Sequence, residues 1–259
     1  MDFEKLISKG NRADIYLCEK KIIKLFKDSL HESEAEYEAN KQSFAYSKGL
    51  PVPRIYEVTK INGRQAIIME YIAGKTIGNL LFDDMTNAEQ YMNLSVDIQL
   101  KIHDVKADRF ELMADKLERN LRSASALSEN QRNYLVERVH CMQLDKRLCH
   151  GDYHIFNLIQ NENGVAIIDW VDSSAGSVNA DIYRTYLLYS EYSMELASMY
   201  LRMYCDKSGL HQDDIFAWAS IISGARLSEN VGSEKESRLL ETVARCCPLQ
   251  SEQEKNNVR

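Results

Sequence analysis

No stretch of apolar residues in this 259-residue chain approaches the roughly 20 that a membrane-spanning helix needs, so no membrane partner is expected. The opening MDFEKLISKG lacks the basic start and apolar run of a secretory signal, and the expected location is the cytoplasm. No Cys-x-x-Cys pair occurs among Cys18, Cys141, Cys149, Cys205, Cys246 and Cys247. In a reducing compartment these read as reduced, small buried hydrophobes. No long lysine or arginine cluster is present and the formal net charge is −7, which disfavours a nucleic-acid partner. There is no internal repeat and no low-complexity linker. What remains is an ordinary globular composition, 44% hydrophobic and 27% charged, long enough for one large domain or two lobes.

Residues 1–72 read as strands around one helix. FEKLI, IYLCE and KKIIKLF are strand-like, with a tight turn near Lys20 before the third. Ser29 and Glu32 have capping-box spacing for a helix that stops at Gly49. Pro51 and Pro53 break the pattern, and RIYEV and QAIIMEYI follow as two strands about a hairpin turn at Asn62-Gly63. After AGKT the composition becomes helical, with capping-box starts at Thr86/Glu89 and Ser128/Gln131. DIYRTYLLYSEYSMELASMYLRMYC and DDIFAWASIISGARL look helical, a last helix is expected from Ser233 with Glu236 three residues on, and the polar tail SEQEKNNVR is expected to fray. The expected organisation is α+β, with a β-rich lobe at 1–72, a larger helical lobe at 73–259, and residues 70–74 between them.

One stretch concentrates the polar chemistry: LCHGDYHIFNLIQNENGVAIIDW, residues 148–170. NLIQ and VAII read as two strands about the turn NENG. Folding the chain about 162/163 sets Asn157 opposite Ile168 and Phe156 opposite Asp169, so Asn157 and Asp169 meet at the open end. Both offer hard oxygen ligands of the kind Mg²⁺ takes alongside substrate phosphates. Asp152, five residues before Asn157, is placed to accept a proton from a nucleophile beside that metal.

HGDYHIFN followed by IIDW resembles the HGD-x-x-x-x-N and I-D-W motifs of the aminoglycoside phosphotransferase and choline kinase family, which has a protein-kinase-like bilobal fold. The resemblance runs from SKGNRADIY to about Tyr186. It implies that Asp152 orients or deprotonates the acceptor hydroxyl and that Asn157 and Asp169 hold Mg²⁺. Phosphoryl transfer needs this kind of positioning and charge neutralisation. The chain departs from the family at Ile155 and Phe156, where Pro-Gly is frequent, which puts the acceptor geometry in question. His150 is expected to brace the loop by hydrogen bonds. His154 reads either as loop support or as a phosphate or acceptor contact.

A kinase-like fold needs a lysine on the third strand, and alternation puts Lys24 on one face with Ile22 and Phe26. Phosphates and a helix glutamate would satisfy its charge; alone, it could be an edge-strand lysine. Counting back from GLPVP as in the family gives Glu38 as that partner, with Glu34 one turn earlier as the alternative. Glu32 and Glu36 read as solvated. KGNRADIY takes the place of the glycine-rich loop with only Gly10, and Arg12 reads as a solvated charge. IIMEYIAG resembles a kinase hinge: Met69 would border the base, and the carbonyl of Glu70 and the N–H of Ile72 would bond it. Asp181 matches a family aspartate that braces the catalytic loop, and is equally a generic helix cap. Tyr183, Tyr186, Tyr189, Tyr192, Tyr200 and Tyr204 recur mostly at helical spacing, as in a packed helix. His103 reads as a structural histidine.

The expected activity is transfer of the γ-phosphate of ATP, with GTP left open, to a small, cationic, hydroxylated acceptor of aminoglycoside, choline or amino-sugar type. Acceptor specificity is expected from residues 108–140 and the last helices, with Asp172 as an acidic contact or a turn residue. Oligomeric state is not legible. Two alternatives stand beside this: a zinc metallohydrolase built on His150, Asp152 and His154 at alternate positions, and a non-catalytic nucleotide-binding module.

Overall fold

The computed structural model describes residues 5–108, 110–229 and 236–246. In chain order the elements are β1 (Lys5–Lys9), β2 (Ala13–Cys18), β3 (Lys21–Phe26), α1 (Glu34–Ser47), β4 (Ile55–Ile61), β5 (Arg64–Glu70), β6 (Lys75–Thr76), α2 (Ile77–Asp83), α3 (Ala88–His103), α4 (Met113–Ser123) and α5 (Glu129–Cys141). Then come β7 (Arg147–Cys149), β8 (Leu158–Asn161), β9 (Gly164–Ile167), β10 (Ser174–Gly176), α6 (Val178–Tyr192), α7 (Met194–Ser208), α8 (Gln212–Phe216), α9 (Ala219–Arg226) and α10 (Glu236–Cys246). Short 3₁₀ turns precede α3 and β8 and follow α9. The class is α+β, with an antiparallel sheet in the N-terminal part and helices dominating the C-terminal part. No helix among the described residues is long and apolar enough to cross a membrane.

By contacts the chain forms two compact units, one comprising residues up to Val105 with His150–Ser173, the other Lys106–Cys149 with the chain from Ser174 onward. This grouping is drawn differently from the expected lobes at 1–72 and 73–259. In the first unit, β6 pairs with β8 through Lys75↔Gln160 and Thr76↔Ile159, and Ile167 N–H donates to Pro51 O at 2.8 Å.

The first unit is built on a five-stranded antiparallel sheet in the order β1-β2-β3-β5-β4. The β2–β3 turn places Glu19 and Lys20 at φ 47° and 59°, and the β4–β5 turn places Asn62 and Gly63 at 52° and 82°. Such paired left-handed residues match the twist of a two-residue hairpin. Strand alternation divides the core. Ala13, Phe26, Ile67 and Met69 face Ala35 and Ala39 of α1, while Cys18, Ile23, Leu25, Ala66 and Ile68 form the opposite cluster.

Helix α1 starts at Glu34 with Ser33 as its N-cap residue, a correction to the start expected at Ser29. Leu30 packs into the core instead, and the Ser33 hydroxyl is taken by His31 Nδ1 at 2.8 Å. Gln65 of β5 supplies the missing acceptor, with Ala35 N–H donating to its Oε1 at 3.2 Å. The helix ends as expected, with Gly49 at φ 77°. Thr86 does not cap α3, since Asp84 caps the preceding turn and accepts from both Thr86 N–H (3.0 Å) and its hydroxyl (2.6 Å).

In the second unit the Ser128/Gln131 capping box forms in full. The long helical stretch breaks at Ser193, whose hydroxyl accepts from Leu196 N–H at 3.3 Å and starts α7. DDIFAWASIISGARL likewise divides into α8 and α9. Tyr183, Tyr189, Tyr200 and Tyr204 are buried and Tyr192 is exposed. The rings of Tyr189 and Tyr200 lie 5.2 Å apart in the packed helix pair α6–α7. The cap expected at Ser233, the tail and Cys247 lie outside the described residues. Cys18, Cys141, Cys149, Cys205 and Cys246 are free thiols, but Cys141 and Cys246 are exposed rather than buried.

Candidate active site

The hairpin of β8 and β9 pairs Leu158↔Ile167 and Asn161↔Gly164. That register puts Asn157 opposite Ile168, and Ile168 N–H donates to Asn157 O at 3.0 Å. Asp169 follows with φ 63°, a left-handed conformation that costs an ordinary residue about 1–2 kcal/mol and that aspartate tolerates better than most. Its carboxylate meets Lys24: Nζ lies 3.2 Å from Asp169 Oδ1 and 2.5 Å from Glu38 Oε1. Lys24 is thus shared between strand, helix and hairpin, and Glu38 rather than Glu34 is its helix partner. Glu34 instead pairs with Arg12, which is therefore not simply solvated. The side chains of Lys24, Glu38 and Asp169 are 13%, 2% and 42% exposed. Burial opposes the ammonium, yet the charges of Asp169 and Glu38 outweigh it and hold the Lys24 pKa above the ordinary lysine value. Burial pushes the Glu38 carboxyl up against the pull of Lys24, and Glu38 Oε2 is buried with no hydrogen-bond partner among the described residues.

His150 is fully buried. Its Nδ1 accepts from Asp152 N–H at 3.3 Å, so Nε2 carries the proton, donated to Ile168 O at 3.1 Å. One imidazole thereby ties the loop to the open end of the hairpin, with Trp170 packed against it at 4.8 Å. Tyr153, also fully buried, donates to Ser95 O of α3 at 2.6 Å. Asp152, Asn157 and His154 come together. Asn157 Nδ2 donates to Asp152 O at 2.8 Å and lies 3.4 Å from Asp152 Oδ2, while His154 Nε2 lies 3.6 Å from that oxygen. Nδ2 is thus committed, and Asn157 Oδ1 has no hydrogen bond among the described residues. His154 Nδ1 accepts from Phe156 N–H at 3.2 Å, starting the 3₁₀ turn. The Ile155-Phe156 departure is accommodated locally: Ile155 is buried, and the Phe156 ring stacks on Phe82 at 5.9 Å and lies over Gly78, where a Cβ would come within 2.4 Å of it.

A cavity of about 630 Å³ is lined by Lys24, Glu38, Met69, Glu70, Ile72 and Asp169, together with Gln42 and residues of β1. Gly10 does not line it; its N–H donates to Ala13 O at 2.9 Å and closes the β1–β2 turn. Gln42 was not anticipated. It donates to Pro53 O at 2.8 Å and lies 3.7 Å from Met69 Sδ, fixing the methionine at the cavity wall. Asp181 is buried in the first turn of α6, in the second unit, and His103 is buried at the end of α3. Asp172 is half-buried, and its carbonyl presses on Gly151.

Gly151 has φ 79°, and a Cβ there would lie 2.3 Å from Asp172 O. Gly63 has φ 82° with open space around it. Gly151→Ala is therefore expected to cost about 2–5 kcal/mol, combining the left-handed penalty with overpacking against backbone. Gly63→Ala should cost only the first part, about 1–2 kcal/mol. Thermal melts of the two variants check this, and equal losses would mean that the Gly151 contact relaxes freely.

The sequence profile of the phosphotransferase enzyme family matches residues 4–220. No curated protein matches the chain in sequence. Among solved structures, a thermostable mutant of aminoglycoside phosphotransferase APH(4)-Ia superposes with a TM-score of 0.69 at 12% identity, covering 95% of this chain and 92% of that one. Choline kinase LicA from Streptococcus pneumoniae gives 0.64 at 18% identity, with 95% and 94% covered. A choline/ethanolamine kinase family protein from Mesorhizobium loti gives 0.61 at 13% identity, with 95% and 87% covered. With its protein-kinase-like fold and a profile match over most of its length, the chain belongs to the phosphotransferase enzyme family.

Proposed function

We propose that the chain transfers the γ-phosphate of ATP to a hydroxyl of a small cationic acceptor of aminoglycoside, choline or amino-sugar type. The observation that carries this reading is Lys24, held between Glu38 and Asp169 on the wall of one cavity. Solved complexes of APH(4)-Ia with ADP and hygromycin B, and of LicA with AMP, support a nucleotide and a small acceptor. In this reading the base lies along Met69 and bonds the carbonyl of Glu70 and the N–H of Ile72. Lys24 meets the phosphates, its charge maintained and its position fixed by Glu38. Gly10 shapes the β1–β2 turn above them.

Asn157 and Asp169 fit Mg²⁺, because an amide oxygen and a carboxylate are the hard donors that ion takes. Bound there, the ion would neutralise phosphate charge. Asp152 accepts the acceptor's proton. Its backbone is held by His150 and Asn157, and its carboxylate oxygen lies beside His154 Nε2. His154 can donate from that nitrogen to a phosphate or acceptor oxygen. Asp172 supplies an acidic contact to the acceptor.

A small rather than peptide acceptor is supported by H-G-D at 150–152 and by only 11 residues between Asp169 and Asp181, too short for a long activation segment. The cationic preference is supported by 39 acidic against 32 basic residues. The zinc alternative is disfavoured because His150 has both ring nitrogens engaged and His154 commits Nδ1 to Phe156. A screen of aminoglycosides, choline, sugars and amino alcohols with ATP and GTP tests the reading. The KM of the selected acceptor should rise with ionic strength, as charge attraction is screened. A salt-independent KM with a neutral sugar would overturn the cationic part, and efficient phosphorylation of a peptide the small-molecule part.

A further inference from the structure

We propose that Lys41 is a positioning residue, holding the turn that carries Asp169 on one side and backs Asp152 on the other; this rests on the reading of Asp169 as a metal ligand. Lys41 lies on α1 and is only 4% exposed. A buried ammonium is unfavourable unless acceptors surround it. Its Nζ donates to Val171 O at 2.9 Å and Ser173 O at 2.7 Å, and the Tyr37 ring, one turn earlier, lies 4.2 Å from it.

Carbonyls two residues apart converge on one ammonium only where the backbone between them is bent. Here Ser173 N–H and its hydroxyl both donate to Trp170 O, at 3.1 and 2.7 Å. This turn begins one residue after Asp169. Its other side is the Asp172 carbonyl, 2.3 Å from where a Cβ on Gly151 would stand, and Asp152 is the next residue. Helix α1 therefore grips the site twice. Glu38, through Lys24, fixes the Asp169 carboxylate, and Lys41 fixes the backbone from which that carboxylate projects. Groups that orient a metal ligand in this way affect metal affinity without touching the ion.

The experiment is calorimetric titration of the full chain with ADP, with and without Mg²⁺, for parent, Lys41→Met, Lys41→Arg and Asp169→Ala. Lys41→Met should raise the Mg²⁺ concentration for half-saturation by about 10–100-fold, with metal-free ADP affinity within about twofold. Lys41→Arg keeps donors for both carbonyls and should recover part of the loss. An unshifted Mg²⁺ requirement in Lys41→Met, or an equal loss of metal-free ADP affinity, overturns the proposal. Asp169→Ala separates the two layers: if it too leaves the Mg²⁺ requirement unchanged, the metal-ligand reading fails, whereas a shift in Asp169→Ala alone removes only Lys41. Should Lys41→Met melt below the assay temperature, Lys41→Gln, which keeps one donor group, carries the same comparison with an intermediate shift expected.

Discussion

Exchanging Asp152 for asparagine is expected to reduce phosphoryl transfer by roughly 10²–10⁴-fold, the usual contribution of a positioned general base, with nucleotide affinity staying close to that of the parent. The substitution is nearly isosteric. It retains the backbone N–H that donates to His150 and the carbonyl that accepts from Asn157 Nδ2, so the loop keeps its shape. It removes the basic oxygen and its negative charge. Single-turnover transfer to the true acceptor, compared with equilibrium binding of ADP, checks the split. Near-parental turnover would remove Asp152 from its proposed role, and a parallel loss of ADP binding would show that the residue serves the fold.

Replacing Asp169 with alanine is expected to weaken nucleotide binding by at least about 10-fold in Mg²⁺ and little without it. In the proposed reading Asp169 makes two uses of one carboxylate. Oδ1 meets Lys24 at 3.2 Å, which leaves the other oxygen for an ion. Alanine removes both, but Lys24 keeps Glu38 at 2.5 Å, so the lysine remains ordered and charged. Calorimetry with Mg-ATP, alongside metal-free ATP, reads the effect. Equal Mg-ATP affinities in variant and parent would mean that the ion is held elsewhere.

The hairpin register was legible because it depends on local alternation: NLIQ and VAII about a polar turn leave one pairing that puts Asn157 opposite Ile168, and the backbone adopts it. Lys24 was legible for the same reason, as a charge amid apolar neighbours on one strand face. The choice between Glu38 and Glu34 was not, since both lie on the same helix face and only the position of Arg12, brought over by the β1–β2 turn, separates them. The start of α1 was misread because its cap comes from Gln65, 30 positions away from Ala35, and no local pattern reports a distant acceptor. Lys41 and Gln42 were invisible in EANKQSF for a related reason. A lysine or glutamine on a helix reads as solvated until the carbonyls of Val171, Ser173 and Pro53 are folded against it. Phe156 read only as a departure. The compensating gap at Gly78 lies far off in the sequence.

The account stands most directly on one measurement: transfer of labelled γ-phosphate from ATP to the panel of small hydroxylated acceptors, with products identified by mass. It predicts Mg²⁺-dependent formation of a phosphate ester on at least one amine-bearing acceptor by the parent, and its loss in Asp152→Asn. Nucleotide binding with no transfer to any acceptor, or transfer that Asp152→Asn leaves intact, would contradict it.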